Sequence, residues 1–157
     1  MTILSDLFDN VIIREFSAGD RGLVDDFFAQ MGGESRAFFN RDDGNYKSAL
    51  KFFDGTAVNK IFFLAELDGV MIGYVFLWDV HCGVPWLGIA VHDAYKGMHL
   101  GRKLISHAVG CARDNGKGGV LLSTHIANIR GQGLYERMGF VRIGMQDASE
   151  LLYILRF

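Results

Sequence analysis

The chain has little of what marks several classes of protein. It contains one proline and two cysteines in 157 residues, and half of its residues are hydrophobic. This composition excludes a disordered chain and a disulfide-rich secreted scaffold. The longest apolar run, residues 70–78, contains Gly73 and ends before Asp79, far short of the ~20 residues that span a bilayer. We therefore expect one folded domain over residues 1–157 with no membrane partner.

An excess of charge of one sign is also absent. The formal net charge is −2, which argues against nucleic acid as a partner. Asp6 and Asp9 lie where a secretory signal would carry basic residues ahead of an apolar core. Cys82 and Cys111 follow no pattern, and the histidines and cysteines lack metal-ligand spacing, so we expect buried free thiols and no metal site. The predicted location is cytoplasmic.

The most informative segment is a basic turn with two glycines at residues 96–103, called the basic turn below. It joins an apolar strand candidate, residues 86–91, to an amphipathic helix candidate. A helix that begins there presents unpaired N–H groups and a partial positive charge, and glycine lets a ligand approach the backbone. The turn therefore predicts a phosphorylated ligand for Lys96, Arg102 and Lys103, although basic residues at a solvated helix start are common.

Two widespread phosphate-binding patterns are missing from the chain. A Walker loop needs Ser or Thr after Gly-Lys, whereas Gly101 is followed by Arg102 and Lys103. A dinucleotide fold needs G-x-G-x-x-G and an acidic residue about 20 positions further on, which the segment 119–123 does not offer. Nucleotide hydrolysis and hydride transfer are therefore not expected.

Two ordered motifs carry a family resemblance. Residues 96–101 follow Q/R-x-x-G-x-G/A, with Lys96 in the first position and His99 in place of the first glycine. Residues 128–140 follow N-x-x-A-x-x-L-Y-E-x-x-G-F, with Gly131 in place of alanine. Over nearly all of its length the chain resembles the GCN5-related N-acetyltransferase (GNAT) superfamily. The resemblance implies a mixed α/β fold whose mostly antiparallel central sheet is flanked by helices.

Apolar periodicity and turn residues predict the element order β-α-α-β-β-β-α-β-α-β-β. Asp20 is expected to cap the first helix, and Gly44 to interrupt the second helical region, residues 36–53. Residues 68–69, Asp-Gly, predict a type I′ hairpin turn, and Gly88 predicts a bulge or a close approach to the backbone. The predicted strands are residues 11–16, 61–67, 70–78, 86–91, 119–123, 140–144 and 151–157, and the last two helices follow residues 99 and 127.

The resemblance implies acetyl-CoA as the acyl-donor cosubstrate. The backbone around residues 89–91 is expected to pair with the pantetheine arm, an N–H near Gly88 to polarise the thioester carbonyl, and amides 97–102 to hold the pyrophosphate. Tyr135 is the predicted catalytic residue, because in the family the phenol protonates the departing CoA thiolate. The predicted acetyl-CoA contacts are Ile89, Ala90, Val91, Lys96, Gly97, Met98, His99, Leu100, Gly101, Arg102, Asn128 and Tyr135.

Three of these residues have a second explanation. Tyr135 shares a helical face with Leu134 and Met138, which also suits a core aromatic. Asn128 stands at a helix N-cap position, where asparagine is common. His99 is either an imidazole beside the pyrophosphate or a surface residue with helical dihedral angles, and both alternatives stay open.

The acceptor is predicted to be a primary amine, which arrives protonated and has to lose a proton before it attacks a thioester. The candidate bases each fit a surface or capping role equally well, and a water chain is a further alternative. They are Asp79, His81, His92, Asp93 and His125.

The family resemblance places the acceptor over residues 27–53, whose mixed charges and phenylalanines select neither a small-molecule amine nor a protein amine. We therefore predict an N-acetyltransferase that works by direct transfer in a ternary complex, as a monomer or a homodimer. The alternative is a non-catalytic acyl-CoA-binding or regulatory module with the same fold.

Overall fold

The computed structural model describes residues 10–157, in which seven strands form one sheet of order β1-β2-β3-β4-β5-β7-β6. Neighbouring strands are antiparallel except for β4 and β5. The strands are β1 Ile12–Glu15, β2 Lys60–Leu67, β3 Val70–Trp78, β4 Trp86–Val91, β5 Gly119–His125, β6 Val141–Met145 and β7 Glu150–Arg156. The helices are α1 Arg21–Ala29, α2 Gly33–Phe39, α3 Gly44–Phe53, α4 Leu100–Asp114 and α5 Ile129–Arg137. The predicted mixed fold is confirmed.

The sheet separates two hydrophobic cores. On the back face, α4 and α5 pack on residues of β2 to β5 and β7, among them Leu122 and Tyr153. On the front face, α1, α2 and α3 cover an aromatic core that includes Phe28, Tyr74 and Phe76. The front core takes its strand residues from β2, β3 and β4. Its three helices therefore stop near the middle of the sheet.

The break in the second helical region is not at Gly44, which instead begins α3. The chain reverses at Asp42 and Asp43, whose φ angles are 55° and 56°. The buried side-chain oxygen of Asn40 accepts two backbone N–H groups of α3 at 3.0 Å each. This capping starts a third helix after the reversal, so three helices lie between β1 and β2 where two were predicted.

Asp20 occupies the position before α1, but its side chain makes no capping hydrogen bond to that helix. Its carboxylate instead pairs with Arg14 of β1 at 2.7 Å and accepts the Ser17 N–H at 2.7 Å. The hydrogen bond from Arg14, and then the one from Ser17, lower the pKa of Asp20 to about 2 despite its burial. Asp20 is therefore the N-cap residue by position, as predicted, but its side chain ties β1 to the turn before α1 instead of bonding to the helix.

Gly88 shows which of its two predicted roles is right. The pairing of β3 with β4 runs without a register shift, so the predicted bulge is wrong. A Cβ built on Gly88 would lie 2.5 Å from the Phe76 ring, so a close approach does require glycine there. The sheet bulges instead between Ala65 and Glu66 of β2. The 68–69 turn has φ angles of 50° and 79°, as a type I′ hairpin requires.

Both cysteines are free, but Cys82 is exposed rather than buried, and Cys111 is half-buried. Burial raises the pKa of the Cys111 thiol, which makes it a poor nucleophile. Within residues 10–157, no helix has the length and apolar character needed to cross a bilayer. In the same range, no cluster of three His, Cys, Asp or Glu side chains has an arrangement suited to a metal ion.

Candidate active site

The strands β4 and β5 pair at one end and then diverge. Their register holds one pair, Trp86 with Leu121, where the Leu121 N–H donates to the Pro85 carbonyl at 2.9 Å. Toward Val91 and His125, at the far ends of the two strands, the described part of the chain records no further pairing between them. The sheet is therefore split there, and we call this gap the β4–β5 opening.

The backbone of β4 presents alternate residues to the β4–β5 opening. The His92 N–H donates to the Ile72 carbonyl of β3 at 2.8 Å, so the even-numbered residues of β4 face β3. The N–H and C=O groups of Ile89 and Val91 therefore face the opening, as predicted for partners of a pantetheine arm. Ala90, opposite Tyr74, directs its backbone toward β3 instead. Gly88 does the same, so the N–H available to a thioester carbonyl is that of Ile89.

The basic turn is separated from β4 by the short 3-10 helix Asp93–Tyr95 and ends in the first turn of α4. Gly97 and His99 have left-handed φ angles of 78° and 65°. The expectation of helical dihedral angles at His99 is therefore wrong, and its exposed side chain makes no capping bond. The His99 carbonyl accepts the Lys103 N–H at 3.3 Å. The N–H groups of residues 100–102 precede any intrahelical acceptor, which leaves them for an anion.

Gly101 is the point at which three predicted elements meet. A Cβ built on it would lie 2.9 Å from Leu134 of α5, 3.9 Å from Ile89 and 4.0 Å from Val91. The first turn of α4 therefore lies beside the exposed edge of β4 and beside the second motif. The structure brings together the strand, the basic turn and the motif helix that the sequence predicted as one site.

Lys96 does not direct its ammonium group toward the start of α4. Its Nζ lies 3.0 Å from Asp93 Oδ1 and also donates to the Ser35 hydroxyl. Asp93 accepts two more hydrogen bonds at 2.8 Å, from the Gly32 N–H and from the Ser35 hydroxyl. Burial raises the pKa of Asp93, but these hydrogen bonds outweigh it and hold the pKa below the usual value. Asp93 therefore joins the end of β4 to α2, and a phosphate contact by Lys96 stays a prediction.

Asn128 is the N-cap of α5, because its side-chain oxygen accepts the Gly131 N–H at 3.1 Å. Its side-chain nitrogen donates to the Thr124 hydroxyl at 3.1 Å. A Cβ on Gly131 would overlap this amide, so the alanine of the family motif would require the Asn128 side chain to shift. The capping explanation of Asn128 is confirmed, and its contact with acetyl-CoA stays a prediction.

Tyr135 is packed in the back core, 8% exposed, with its ring 6.1 Å from Phe140 and 6.2 Å from Tyr153. Burial raises its pKa to about 12, with Glu150 and Tyr153 contributing less. The phenol is therefore protonated at neutral pH, which an acid needs. The core explanation is confirmed, and the catalytic role remains compatible with it.

The proposed bases are less well placed. Asp79 and His81 follow the end of β3 that pairs with Trp86, so they lie at the closed end of the β4–β5 opening. The His92 ring uses both nitrogens, because Nδ1 accepts the Ala94 N–H at 3.1 Å and Nε2 lies 2.8 Å from Gln30 Oε1. Asp93 is occupied by the three donors described above. His125 lies at the open end of the β4–β5 opening. Within residues 10–157 its Nδ1 accepts the Ala127 N–H, and its Nε2 makes no hydrogen bond.

A group that the sequence did not single out lies around His125. The ring of Phe38, from α2, stacks on the His125 ring at 4.9 Å with an interplanar angle of 24°. Glu150 of β7 is the cross-strand partner of His125. Burial raises the pKa of Glu150, and the neighbouring charges have smaller effects of both signs. We call Phe38, His125 and Glu150 the acceptor cluster; no local motif marks it, because its members come from three elements.

The split sheet with a helix N-terminus behind it defines an acetyltransferase architecture. The model of the acetyltransferase (GNAT) family matches residues 25–140, and the chain belongs to that family. A Bacillus subtilis protein, provisionally named a ribosomal protein bS18-alanine N-acetyltransferase, is 30% identical over 78 residues, which is 50% of this chain and 52% of that protein. The match thus spans about half the length of that curated relative.

Solved structures share the fold over nearly the whole chain. The PaiA N-acetyltransferase of Thermoplasma acidophilum, in complex with coenzyme A, has a TM-score of 0.77 at 17% identity and covers 94% of this chain and 99% of that chain. YncA of Salmonella typhimurium, with its cofactor acetyl-CoA, has a TM-score of 0.74 at 20% identity and covers 94% of each chain. The predicted fold is confirmed, and acetyl-CoA or CoA is the ligand held by these neighbours.

Proposed function

We propose that the protein is an acetyl-CoA-dependent N-acetyltransferase that acetylates a primary amine by direct transfer in a ternary complex. The observation that carries the proposal is the meeting of β4, the basic turn and α5 at Gly101. Membership of the acetyltransferase family and the CoA-bound neighbours support it. As in the prediction from sequence, one catalytic domain over residues 1–157 would act in the cytoplasm, as a monomer or a homodimer.

The residues fit acetyl-CoA in two places. The backbone groups of Ile89 and Val91 at the β4–β5 opening suit the amides of a pantetheine arm, and the N–H groups of residues 100–102 suit a pyrophosphate. Arg102 adds a positive charge beside those N–H groups. When bound, acetyl-CoA supplies an activated acyl group.

The protein's own groups then have three tasks. The Ile89 N–H polarises the thioester carbonyl as negative charge develops on its oxygen. Tyr135 donates the phenolic proton to the departing sulfur, and its pKa of about 12 keeps that proton on the phenol at neutral pH until negative charge develops on sulfur. A base removes a proton from the incoming ammonium group.

The acceptor is a small-molecule amine or the amine of a protein or peptide. The Bacillus subtilis relative is named for an alanine of ribosomal protein bS18, which makes an alanine-initiated peptide the first probe. Spermidine is a second probe of different size and charge. The two amines differ enough that activity with one and not the other would define the acceptor class.

Calorimetry with acetyl-CoA and a thiol-release assay over these and other primary amines test the proposal. We expect binding of acetyl-CoA and release of CoA that depends on the amine. Absence of acetyl-CoA binding would contradict the proposal outright.

A non-catalytic acyl-CoA-binding module is the second candidate function. It is favoured by the hydrogen bonds that occupy His92 and Asp93, since these remove two of the predicted bases. The same assay separates the two functions, because a module would bind acetyl-CoA and release no thiol with any amine.

A further inference from the structure

The acceptor cluster lies on the front face at the wide end of the β4–β5 opening. Val120 and Leu122 of β5 belong to the back core, so the alternating residues, which include His125, face the front. The contact between the His125 and Phe38 rings agrees with this, because α2 covers the front face. Glu150 is paired directly with His125 and therefore shares its face.

The backbone around Glu150 is held in place by the turn that precedes β7. The Glu150 N–H donates to Asp147 Oδ1 at 3.0 Å, and the Gln146 N–H donates to the Glu150 carbonyl at 2.9 Å. The same Asp147 oxygen accepts the Ser149 N–H at 2.8 Å. The Asp147 carboxylate is thus used to build the turn, whereas the side chain of Glu150 projects beside His125.

His125 is unsuited to accept a proton in this arrangement. Its Nδ1 accepts the Ala127 N–H at 3.0 Å, so the proton of the neutral ring is on Nε2. A ring in this tautomer offers an N–H donor to its surroundings and has no free lone pair for an ammonium proton. The proton acceptor of the cluster is therefore the carboxylate next to it.

We propose that Glu150 is the catalytic base of the acetyl transfer, with Phe38 and His125 as positioning residues. The proposal rests on the proposed function and adds the residue that this function lacks. Glu150 lies on the front face one strand beyond His125, which borders the opening. A carboxylate there can bind a cationic amine and accept its proton. The partly buried position of Glu150 raises its pKa toward the value that proton removal at neutral pH favours.

The charges that face Glu150 come from three elements. His125 of β5 and Arg41 of the α2–α3 connection lower its pKa, and Asp147 raises it, all less than burial does. A cationic amine adds one more positive charge at this position. A nearby ammonium group therefore favours the ionised carboxylate, against the effect of burial.

The proton balance of the step is as follows. One proton of the ammonium group passes to a Glu150 oxygen and from there to solvent. The amine nitrogen then forms a bond to the thioester carbonyl carbon, and the carbon–sulfur bond breaks with its electron pair on sulfur. Tyr135 gives its proton to that sulfur and recovers one from the nitrogen, which leaves an amide, CoA and one released proton.

The test is the pH dependence of kcat/KM for Glu150→Gln against the parent protein. An alanine-initiated peptide and spermidine serve as acceptors. At pH 7 we expect a loss of about 100-fold, the lower end for a positioned base. Without the base the enzyme uses only amine that is already neutral, so the deficit shrinks by up to tenfold per pH unit. It stops shrinking near pH ~8 for the peptide α-amine and near pH ~10 for an alkyl amine.

Glu15→Gln is the matched control, because Glu15 is an exposed carboxylate on β1 at the opposite edge of the sheet. It should keep the parent profile, and both variants should bind acetyl-CoA like the parent in calorimetry. A Glu150→Gln deficit that is equal at every pH would show a structural effect and overturn the inference, as would an unchanged rate at pH 7. A parent that transfers to no amine at any pH contradicts the proposed function itself, and the inference with it.

Discussion

The donor and acceptor sides of this site are made from different kinds of groups. On the proposed donor side, consecutive backbone amides at residues 100–102 and alternate backbone groups of β4 are available to acetyl-CoA. On the proposed acceptor side, Phe38, His125 and Glu150 contribute side chains from α2, β5 and β7. Backbone groups are the same in every residue, so the donor side depends on conformation. The acceptor side depends on which side chains three separate elements bring together.

This difference predicts how the two sides respond to mutation. A change of shape or charge in the basic turn should weaken acetyl-CoA binding and leave the choice of amine alone. A change in the acceptor cluster should alter the use of the amine and leave acetyl-CoA binding alone. Asp93 joins the end of β4 to α2, the helix that carries Phe38, and we propose that it couples the two sides.

The largest effect on the donor side is expected for Gly101→Glu. Its carboxylate would stand among the N–H groups proposed for the pyrophosphate, where it adds like charge and displaces charge-assisted hydrogen bonds. Loss of two such bonds at ~1.5 kcal/mol each corresponds to about 100-fold weaker CoA binding in calorimetry.

Gly110→Glu, on the same helix, is the control for this substitution. A Cβ on Gly110 meets nothing within 4 Å, so the variant carries the same added charge without a steric conflict. Its CoA affinity should match the parent. Gly101→Ala should also bind CoA well, because its Cβ is too close to the flexible end of Leu134 alone and makes ordinary contacts with Ile89 and Val91. Equal CoA affinity in folded Gly101→Glu and Gly110→Glu would move the pyrophosphate site elsewhere.

The donor side was largely predictable because its signals are local. A glycine and an apolar strand next to a helix start define the basic turn within a few consecutive residues, and strand alternation then selects Ile89 and Val91. The predictions that failed on this side also have a physical cause. Lys96 was assigned to phosphate because the sequence does not show that Asp93 and Ser35 fold against it.

The acceptor side was not predictable, because it depends on non-local pairing. Glu150 becomes a neighbour of His125 only through the register of β5 with β7, and Phe38 reaches His125 only because α2 crosses toward the opening. Asp79 was a candidate base because it directly follows β3, the strand that precedes β4 in the sequence. The topology places that strand end at the closed side of the opening.

The next largest effect is expected for Tyr135→Phe, which keeps the ring in the back core and removes the phenolic proton. We expect kcat to fall by about 100-fold, the lower part of the range for general acids, because thiolate is a fairly good leaving group. The CoA affinity and the melting temperature should stay close to those of the parent, because the hydroxyl acts as charge develops on sulfur. An unchanged kcat in the folded variant, with chemistry limiting turnover, would leave Tyr135 with its packing role alone.

Asp93→Asn should affect the coupling between the two sides. The variant weakens the bonds to Gly32, Ser35 and Lys96, and the half-exposed position limits the cost to about 1 kcal/mol of unfolding free energy. Since the folded-state pKa of Asp93 is lowered, its contribution is present above the unfolded-state pKa and is lost as pH falls through the folded-state value. The parent and the variant should therefore differ in denaturant unfolding at pH 7 and converge in acid.

Kinetics make the same variant informative about the site. A looser α2 should raise the KM for the amine, while the CoA affinity stays that of the parent. Asp114→Asn, an exposed aspartate at the end of α4, is the control for the charge change. If Asp93→Asn weakens CoA binding as much as amine use, the two sides are not separable in the way described above.

The smallest effect is expected for His99→Gly. His99 has a φ of 65°, a conformation that costs a non-glycine residue about 1 kcal/mol and that glycine adopts freely. Part of this gain is offset by the larger conformational freedom of glycine in the unfolded chain, so we expect unfolding free energy to rise by about 0.5 kcal/mol or stay level. The exposed imidazole is not expected to hold the ligand, so CoA affinity should change by less than about twofold, roughly 0.4 kcal/mol. A loss of affinity that grows as the pH is lowered would show instead that a charged imidazole contacts the pyrophosphate. The donor side would then depend on a side chain as well as on backbone groups.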